Sequence, residues 1–296
     1  MRVIVTGASG FIGRKLCELL SENGHRVVPL LREQADIMNV EDLLARGAGK
    51  ADALVHLAFV ADPQIRRREP LLALRIAACG TANALQLASA SSASHFVLAS
   101  SGKVYGNATR MPVAESAPKA PTTFLGRLKV TQEEIAAAGV APGLAVTALR
   151  LFNVYGHGQE GDFLIPKVVS GLLQGQKKLR LGELKHRRDW IHVDDACKAF
   201  LVSIENPAEP GAFRTLNAAS GRSASAGEII AILGRASGMN PAIEQDPGLL
   251  RPDEVGEECA DISSLQGLGF RPRVGLEEGL ERVWKAAMAT SRHLRK

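Results

Sequence analysis

Residues 1–13 read MRVIVTGASGFIG, an apolar strand that runs straight into Gly7, Gly10 and Gly13, with the amphipathic stretch Phe11–Asn23 continuing from the last glycines. A strand, a glycine turn and a helix in that order make a cradle for phosphate. The first glycine allows the tight turn, the second lets backbone approach a pyrophosphate, and the third lets helix pack close on strand. The free N–H groups and the dipole of the helix N-terminus then favour negative charge. A merely structural glycine turn is the alternative, and the βα units that follow downstream disfavour it.

Working outward, Arg26–Leu31, Ala53–Ala58, His95–Ser100 and Ala145–Phe152 read as further strands, separated by helical stretches at Val40–Arg46, Leu71–Ala90 and Phe124–Ala138. Alternating strands and helices call for a parallel sheet covered on both faces. Past about Gly156 the rhythm breaks. A glycine-rich stretch, Gly156–Gly161, leads to a helix at Phe163–Leu173, a short strand at Leu179–Leu184, and helices at Ala226–Ser237 and Leu276–Ala289 among proline-bearing loops. The expected fold is α/β: a doubly wound parallel sheet (Rossmann) with a second, smaller α/β substrate domain. Residues 1–156 plus about 189–219 are assigned to the dinucleotide-binding domain, because FRTLN can return to the main sheet. Residues 157–188 plus 220–296 are assigned to the second.

The chain has 296 residues, 46% hydrophobic and 23% charged, enough for a full core. The longest apolar stretches are read as falling short of a membrane span, and Met1 leads into a strand rather than a charged-then-apolar leader, so a cytoplasmic protein without membrane attachment is expected. Cys17, Cys79, Cys197 and Cys259 show no paired spacing, so neither disulfide nor metal site is expected. A net charge of +5 spread along the chain favours an acidic small molecule over nucleic acid. Where the second strand ends, Leu31-Arg32 replaces the acidic residue that an NAD-preferring site places against the ribose hydroxyls. Arg32 suits the 2′-phosphate of NADP or is a surface arginine.

Six segments together resemble the extended short-chain dehydrogenase/reductase family, in its NAD-dependent nucleotide-sugar epimerase and dehydratase branch, which is UDP-glucose 4-epimerase-like. They are TGASGFIG, VHLA (Val55–Ala58), SSGKVYG (Ser100–Gly106), RLFNVYG (Arg150–Gly156), RDWIHVDD (Arg188–Asp195) and RPDEV (Arg251–Val255) followed by ADISSLQGLGFRP. The resemblance implies that NAD or NADP lies against Gly7, Gly10, Phe11, Ile12, Gly13, Leu57 and Ala58. It also implies that Asp36-Ile37 meets the adenine, and that Lys129 meets the nicotinamide ribose. Ser101 would bond the reacting sugar hydroxyl, and Asn153, Arg188 and Arg251 would hold the diphosphate of a nucleotide sugar. A homodimer through the Leu71–Ala90 and Phe124–Ala138 helices is implied as well. Asp194-Asp195 are expected to cap the next helix.

The family's chemistry needs a base while hydride moves to and from a nicotinamide, and that base is a tyrosine four residues before the lysine, on the same helix face. Here Leu125 stands four residues before Lys129, and Ala77 stands where the family has an asparagine. Gly102 and Lys103 replace the acid and base of the family's dehydratases, which argues against 4,6-dehydration. Lys103, His157 or a bound water remain as candidate proton carriers, with Lys103 entered among the catalytic residues beside Ser101 and Lys129. Tyr105 and Tyr155, the only tyrosines, belong to V-Y-G turns and are expected to pack structurally. The expected function is an NAD(P)-dependent nucleotide-sugar epimerase or 4-ketoreductase. The alternative is a cofactor- and sugar-nucleotide-binding protein that has lost turnover.

Overall fold

The structure is a computed structural model that describes residues 1–246, 248 and 255–294, the last three by backbone alone. Six parallel strands form its main sheet: β1 (Arg2–Thr6), β2 (Arg26–Leu30), β3 (Ala53–His56), β4 (His95–Ser101), β5 (Ala145–Leu151) and β9 (Phe213–Ala218), in the order β2-β1-β3-β4-β5-β9. Strands buried on both faces read as continuous apolar runs, as RVIVT and ALVH do. On one face α1 (Phe11–Glu22) and α7 (Val193–Glu205) bury Leu16, Leu20, Phe200 and Ile204 against the sheet. On the other, α2 (Val40–Arg46), α4 (Pro70–Ala90) and α5 (Phe124–Ala138) bury Leu43, Ala84, Leu87 and Ala136. The chain steps from β1 outward to β2 and then crosses back to β3, so the strand order reverses between β1 and β3. In sheets of this type ligands bind outside the carboxyl ends of the strands at that point.

The second unit holds the sheet β10-β8-β6, made of β10 (Ser223–Ser225), β8 (Arg187–His192) and β6 (Asn153–Tyr155), and the parallel pair β11 (Ala242–Gln245) and β7 (Lys178–Leu181). Its core joins Ile165, Val168 and Leu172 of α6 (Leu164–Leu173), Ile229 and Leu233 of α8 (Ala226–Ser237), and Leu280 and Val283 of α10 (Leu276–Leu294). Residues 153–156 and 189–192 were grouped with the large sheet by sequence, yet β6 and β8 stand in this small one. Their neighbours α7 and β9 return to the large sheet, β9 pairing with β5. A further correction concerns α4: its 21 residues are long and apolar enough by length and composition to cross a bilayer, against the sequence expectation. Here its small residues Ala73, Ala77, Gly80 and Ala84 face inward and let it pack closely in the fold.

A buried charge pair sets the seat of α5. Glu133 is fully buried, and Arg150 of β5 donates from Nε and Nη2 to its two carboxylate oxygens at 2.9 and 2.8 Å. Ser100 Oγ of β4 donates to the same carboxylate at 2.5 Å. Arg150 Nη1 donates to the Tyr105 hydroxyl, which donates in turn to Asn217 Oδ1 of β9 at 2.7 Å. The phenol is thereby spent structurally, as expected of it. Removing one partner of such a pair leaves an uncompensated buried charge. Glu133→Gln is expected to cost about 3–5 kcal/mol in a urea or thermal unfolding measurement; a loss below about 1 kcal/mol would show that Arg150 finds another acceptor or water.

Candidate active site

At the switch point the glycine turn comes down on the end of β3. Gly7 has φ +69°, and a Cβ there would lie 2.7 Å from Ala58 N and 2.9 Å from the Leu57 carbonyl carbon, so only glycine fits. A Cβ on Gly13 would run into Gly7 O and the Ala8 backbone, which is the close helix–strand approach expected of the third glycine. Gly10 is the N-cap of α1 and has no side chain to cap the helix, so the first-turn N–H groups at Phe11 and Ile12 are presented at the turn. These residues fit a diphosphate. Arg32 is exposed just beyond β2, and Asp36 forms a local turn in which its Oδ1 accepts Met38 N at 3.0 Å. Ile37 packs on Gly80, and its carbonyl accepts from Asn83 Nδ2 at 2.9 Å.

From this turn a directed line of hydrogen bonds runs inward to Lys129. Thr81 Oγ1 donates to Ala77 O at 2.7 Å, so toward its other neighbours it can only accept. It therefore takes Nε2–H of His56 at 3.3 Å and Nε2–H of Gln132 at 2.9 Å. That fixes the His56 tautomer and leaves its Nδ1 to accept from Thr6 Oγ1 at 2.8 Å, while Thr6 Oγ1 accepts Ala58 N at 3.3 Å. Burial, with Lys129 second, pushes His56 down to about 3, so the ring is neutral. At the far end Lys129 Nζ donates to Gln132 Oε1 at 2.8 Å and to Ala99 O at 2.7 Å, and it lies 3.8 Å from the centre of the Phe59 ring. An ammonium has three N–H donors, and these three contacts turn the nitrogen inward. Leu125, one turn earlier on α5, has no hydroxyl to offer.

A second group gathers where β4 meets the small sheet. Ser101 Oγ accepts Lys103 N at 3.2 Å and so caps the 3-10 turn Gly102–Tyr105. Lys103 Nζ pairs with Glu258 Oε1 at 2.5 Å. The other carboxylate oxygen of Glu258 accepts from Asn153 Nδ2 at 3.4 Å and faces Arg188 Nε at 3.6 Å. Lys103, Asn153 and Arg188, three residues singled out by sequence, thus converge on one buried carboxylate that sequence reasoning missed. Lys103 meets a counter-charge here rather than lying stripped of solvent beside Lys129. The signal was faint: Glu258 falls inside the RPDEV-to-ADISS stretch, 155 residues from Lys103. Arg251 lies outside the described residues.

Neighbouring groups are structural. Asp189 is fully buried and takes Ser220 N, Ser220 Oγ, Gly221 N and Ala260 N; burial nevertheless raises its pKa. The expected capping by Asp194-Asp195 is corrected: His192 Nδ1 accepts Asp194 N as the cap of α7, and Asp195 Oδ2 instead takes Arg273 N and Val274 N. Tyr155 OH donates to Leu276 O at 3.4 Å, and burial raises it far above an ordinary phenol. His157 is exposed on a loop at a cavity of about 350 Å³ between α6 and α10.

Burial first, then the Arg66 guanidinium, push Lys129 down to about 7, with Glu133 acting in the opposite sense. The unfolded chain, with an ordinary lysine near about 10.4, binds the extra proton between about pH 7 and 10, so this residue makes the fold more stable as pH rises through that window. Urea unfolding of the wild type and Lys129→Met from pH 7 to pH 10 is expected to diverge in the wild type's favour by on the order of 1 kcal/mol per pH unit. Parallel curves would contradict the burial of an unpaired lysine charge.

Residues 3–219 match the family model for the NAD dependent epimerase/dehydratase family. A GDP-6-deoxy-D-talose 4-dehydrogenase of Aggregatibacter actinomycetemcomitans is 30% identical over 272 residues, covering 90% of each chain. A putative UDP-glucose 4-epimerase of Methanocaldococcus jannaschii is 28% identical, covering 95% of this chain and 96% of its own. The structure of RMD from Pseudomonas aeruginosa complexed with NADPH superposes with a TM-score of 0.88 at 27% identity, over 98% of this chain and 99% of that one. With a parallel sheet reversed at a glycine turn and a match over most of its length, this chain belongs to the NAD dependent epimerase/dehydratase family.

Proposed function

We propose that the protein is an NAD(P)-dependent nucleotide-sugar oxidoreductase, a 4-ketoreductase or epimerase that moves hydride at a hexose carbon. The observation that carries this reading is the glycine turn seated on Leu57–Ala58, with Ser101 two strands away at the same end of the sheet. The nicotinamide, when bound, supplies or takes the hydride. This chain's own residues do the rest: the α1 N-terminus holds the cofactor diphosphate, and Ser101 Oγ orients the reacting oxygen. Asn153 and Arg188 of the small sheet support a sugar-nucleotide diphosphate, in keeping with relatives named for UDP- and GDP-linked sugars. Exposed Arg32, with no acidic residue at the end of β2, favours NADP over NAD.

A second reading, a binding protein without turnover, is favoured by two observations: Leu125 carries no hydroxyl, and the Lys129 nitrogen is engaged inward. Proton NMR of the protein with NAD(H) or NADP(H) and UDP-, dTDP- and GDP-linked hexoses and 4-keto-6-deoxyhexoses separates the two. New anomeric signals are expected, and Ser101→Ala is expected to weaken them about 100-fold or more. Saturable binding with no conversion by the wild type, but conversion by Leu125→Tyr, would establish the second reading.

We also propose a homodimer through α4 and α5. Leu71 is 74% exposed, and Leu74 of α4 and Phe124 of α5 are each 41% exposed. A second copy would cover this apolar surface. Sedimentation at micromolar concentration is expected to give a dimer that Leu71→Asp with Leu74→Asp dissociates; a wild-type monomer would contradict it.

A further inference from the structure

We infer that Lys103, held by Glu258, is the proton donor of this site, and that the reaction it serves is reduction of a carbonyl on the nucleotide sugar rather than epimerisation. The inference rests on the oxidoreductase reading above and adds the missing acid to it. Four candidate proton carriers among the described residues, Lys129, Tyr105, His56 and His157, are engaged or misplaced. Leu125 has no ionisable group. Lys129 is turned toward Ala99 O, Gln132 Oε1 and the Phe59 ring. The Tyr105 hydroxyl is shared between Arg150 and Asn217, the His56 ring between Thr6 and Thr81, and His157 stands on the exposed loop beside α6. Lys103 differs from all of these. It lies two residues beyond Ser101 on the same turn, its backbone N–H is bonded to Ser101 Oγ, and its side chain retains 22% exposure.

The pairing decides the direction of proton flow. A lysine ammonium carries three N–H donors and no lone pair with which to take a hydroxyl proton, and the Glu258 carboxylate at 2.5 Å is its counter-charge. Such a group donates. Hydride from a dihydronicotinamide donor forms the new C–H bond at the carbonyl carbon, and the C=O π pair moves onto oxygen. That oxygen takes a proton from Lys103 Nζ, giving an alcohol, and water returns the proton to the amine. The sugar carbon is reduced and the nicotinamide oxidised. Glu258 is a positioning residue: it holds the ammonium, and through Asn153 and Arg188 it ties that ammonium to the diphosphate side of the pocket.

The test uses the full-length protein with NADPH and UDP-, dTDP- and GDP-linked 4-keto-6-deoxyhexoses. Loss of dihydronicotinamide absorbance gives rates, and calorimetry with the same nucleotide sugars gives affinities. Lys103→Met is expected to lower kcat about 100- to 10,000-fold while sugar-nucleotide affinity stays within a few-fold. Added methylamine is expected to restore part of the rate to Lys103→Ala in proportion to its concentration. Glu258→Gln is expected to lower kcat without responding to methylamine. A Lys103→Met variant with wild-type kcat overturns the assignment, as does one whose loss lies wholly in affinity. A wild type that epimerises hexoses but reduces no keto sugar overturns the direction. A wild type that binds neither NADPH nor any of these nucleotide sugars overturns the oxidoreductase reading itself, an outcome distinct from the others because it shows in calorimetry without any variant.

Discussion

The site depends on a carboxylate that no solvent reaches. Glu133 takes Nε and Nη2 of Arg150 and the Ser100 hydroxyl, and these bonds fix how α5 sits on β4 and β5. That seating delivers Lys129 to Ala99 O and brings Gln132 against Thr81 of α4. The same guanidinium holds Tyr105, and Tyr105 holds Asn217, whose amide donates to Val113 O and Asp261 O. One ion pair thus positions the helix of the site, the turn after Ser101, and the segment that carries Glu258. A buried pair of this kind is weak evidence for added stability, because desolvation opposes the attraction. Its contribution here is geometric.

On that frame the proton chemistry divides into two halves. The half on α5 is closed: Leu125, one turn before Lys129, has no hydroxyl, and the lysine is buried among an amide, a carbonyl and an aromatic face. The half at the end of β4 keeps partial exposure at Lys103 and carries a serine, that lysine and the buried Glu258 carboxylate. Loss of a residue from one wall of a pocket need not end its chemistry if another wall can move the proton, and hydride delivery makes no demand on which wall that is. What does change is direction, since a lysine ammonium offers N–H donors and has no lone pair with which to take a proton.

Local features of the chain were legible in its residues. Gly7 and Gly13 could be read because no other residue fits their contacts, and Leu125 because a helix fixes which residue lies one turn before Lys129. The strands of the main sheet could be read because burial on both faces leaves long apolar runs. Features made by tertiary contact could not. Glu258 meets Lys103 across 155 residues, and no spacing rule links them. Gln132 reads as an ordinary polar helix residue until Thr81 and Lys129 close on its two ends. The interleaving of the two units at 153–155 and 187–192 was hidden because strand type does not reveal which sheet a strand joins. The α4 helix shows the same limit: its apolar composition suits a membrane span and a packed α/β layer equally.

The central claim is that this site transfers hydride between a nicotinamide and a carbon of a nucleotide-linked sugar with Leu125, which has no hydroxyl, one turn before Lys129. The direct measurement is transfer of label from NADPH deuterated at the nicotinamide C4 to nucleotide-linked 4-keto-6-deoxyhexoses, read by mass spectrometry and deuterium NMR. The account predicts one deuterium at the former carbonyl carbon, on a single face. Saturating binding of both ligands with no deuterium in any sugar would contradict it.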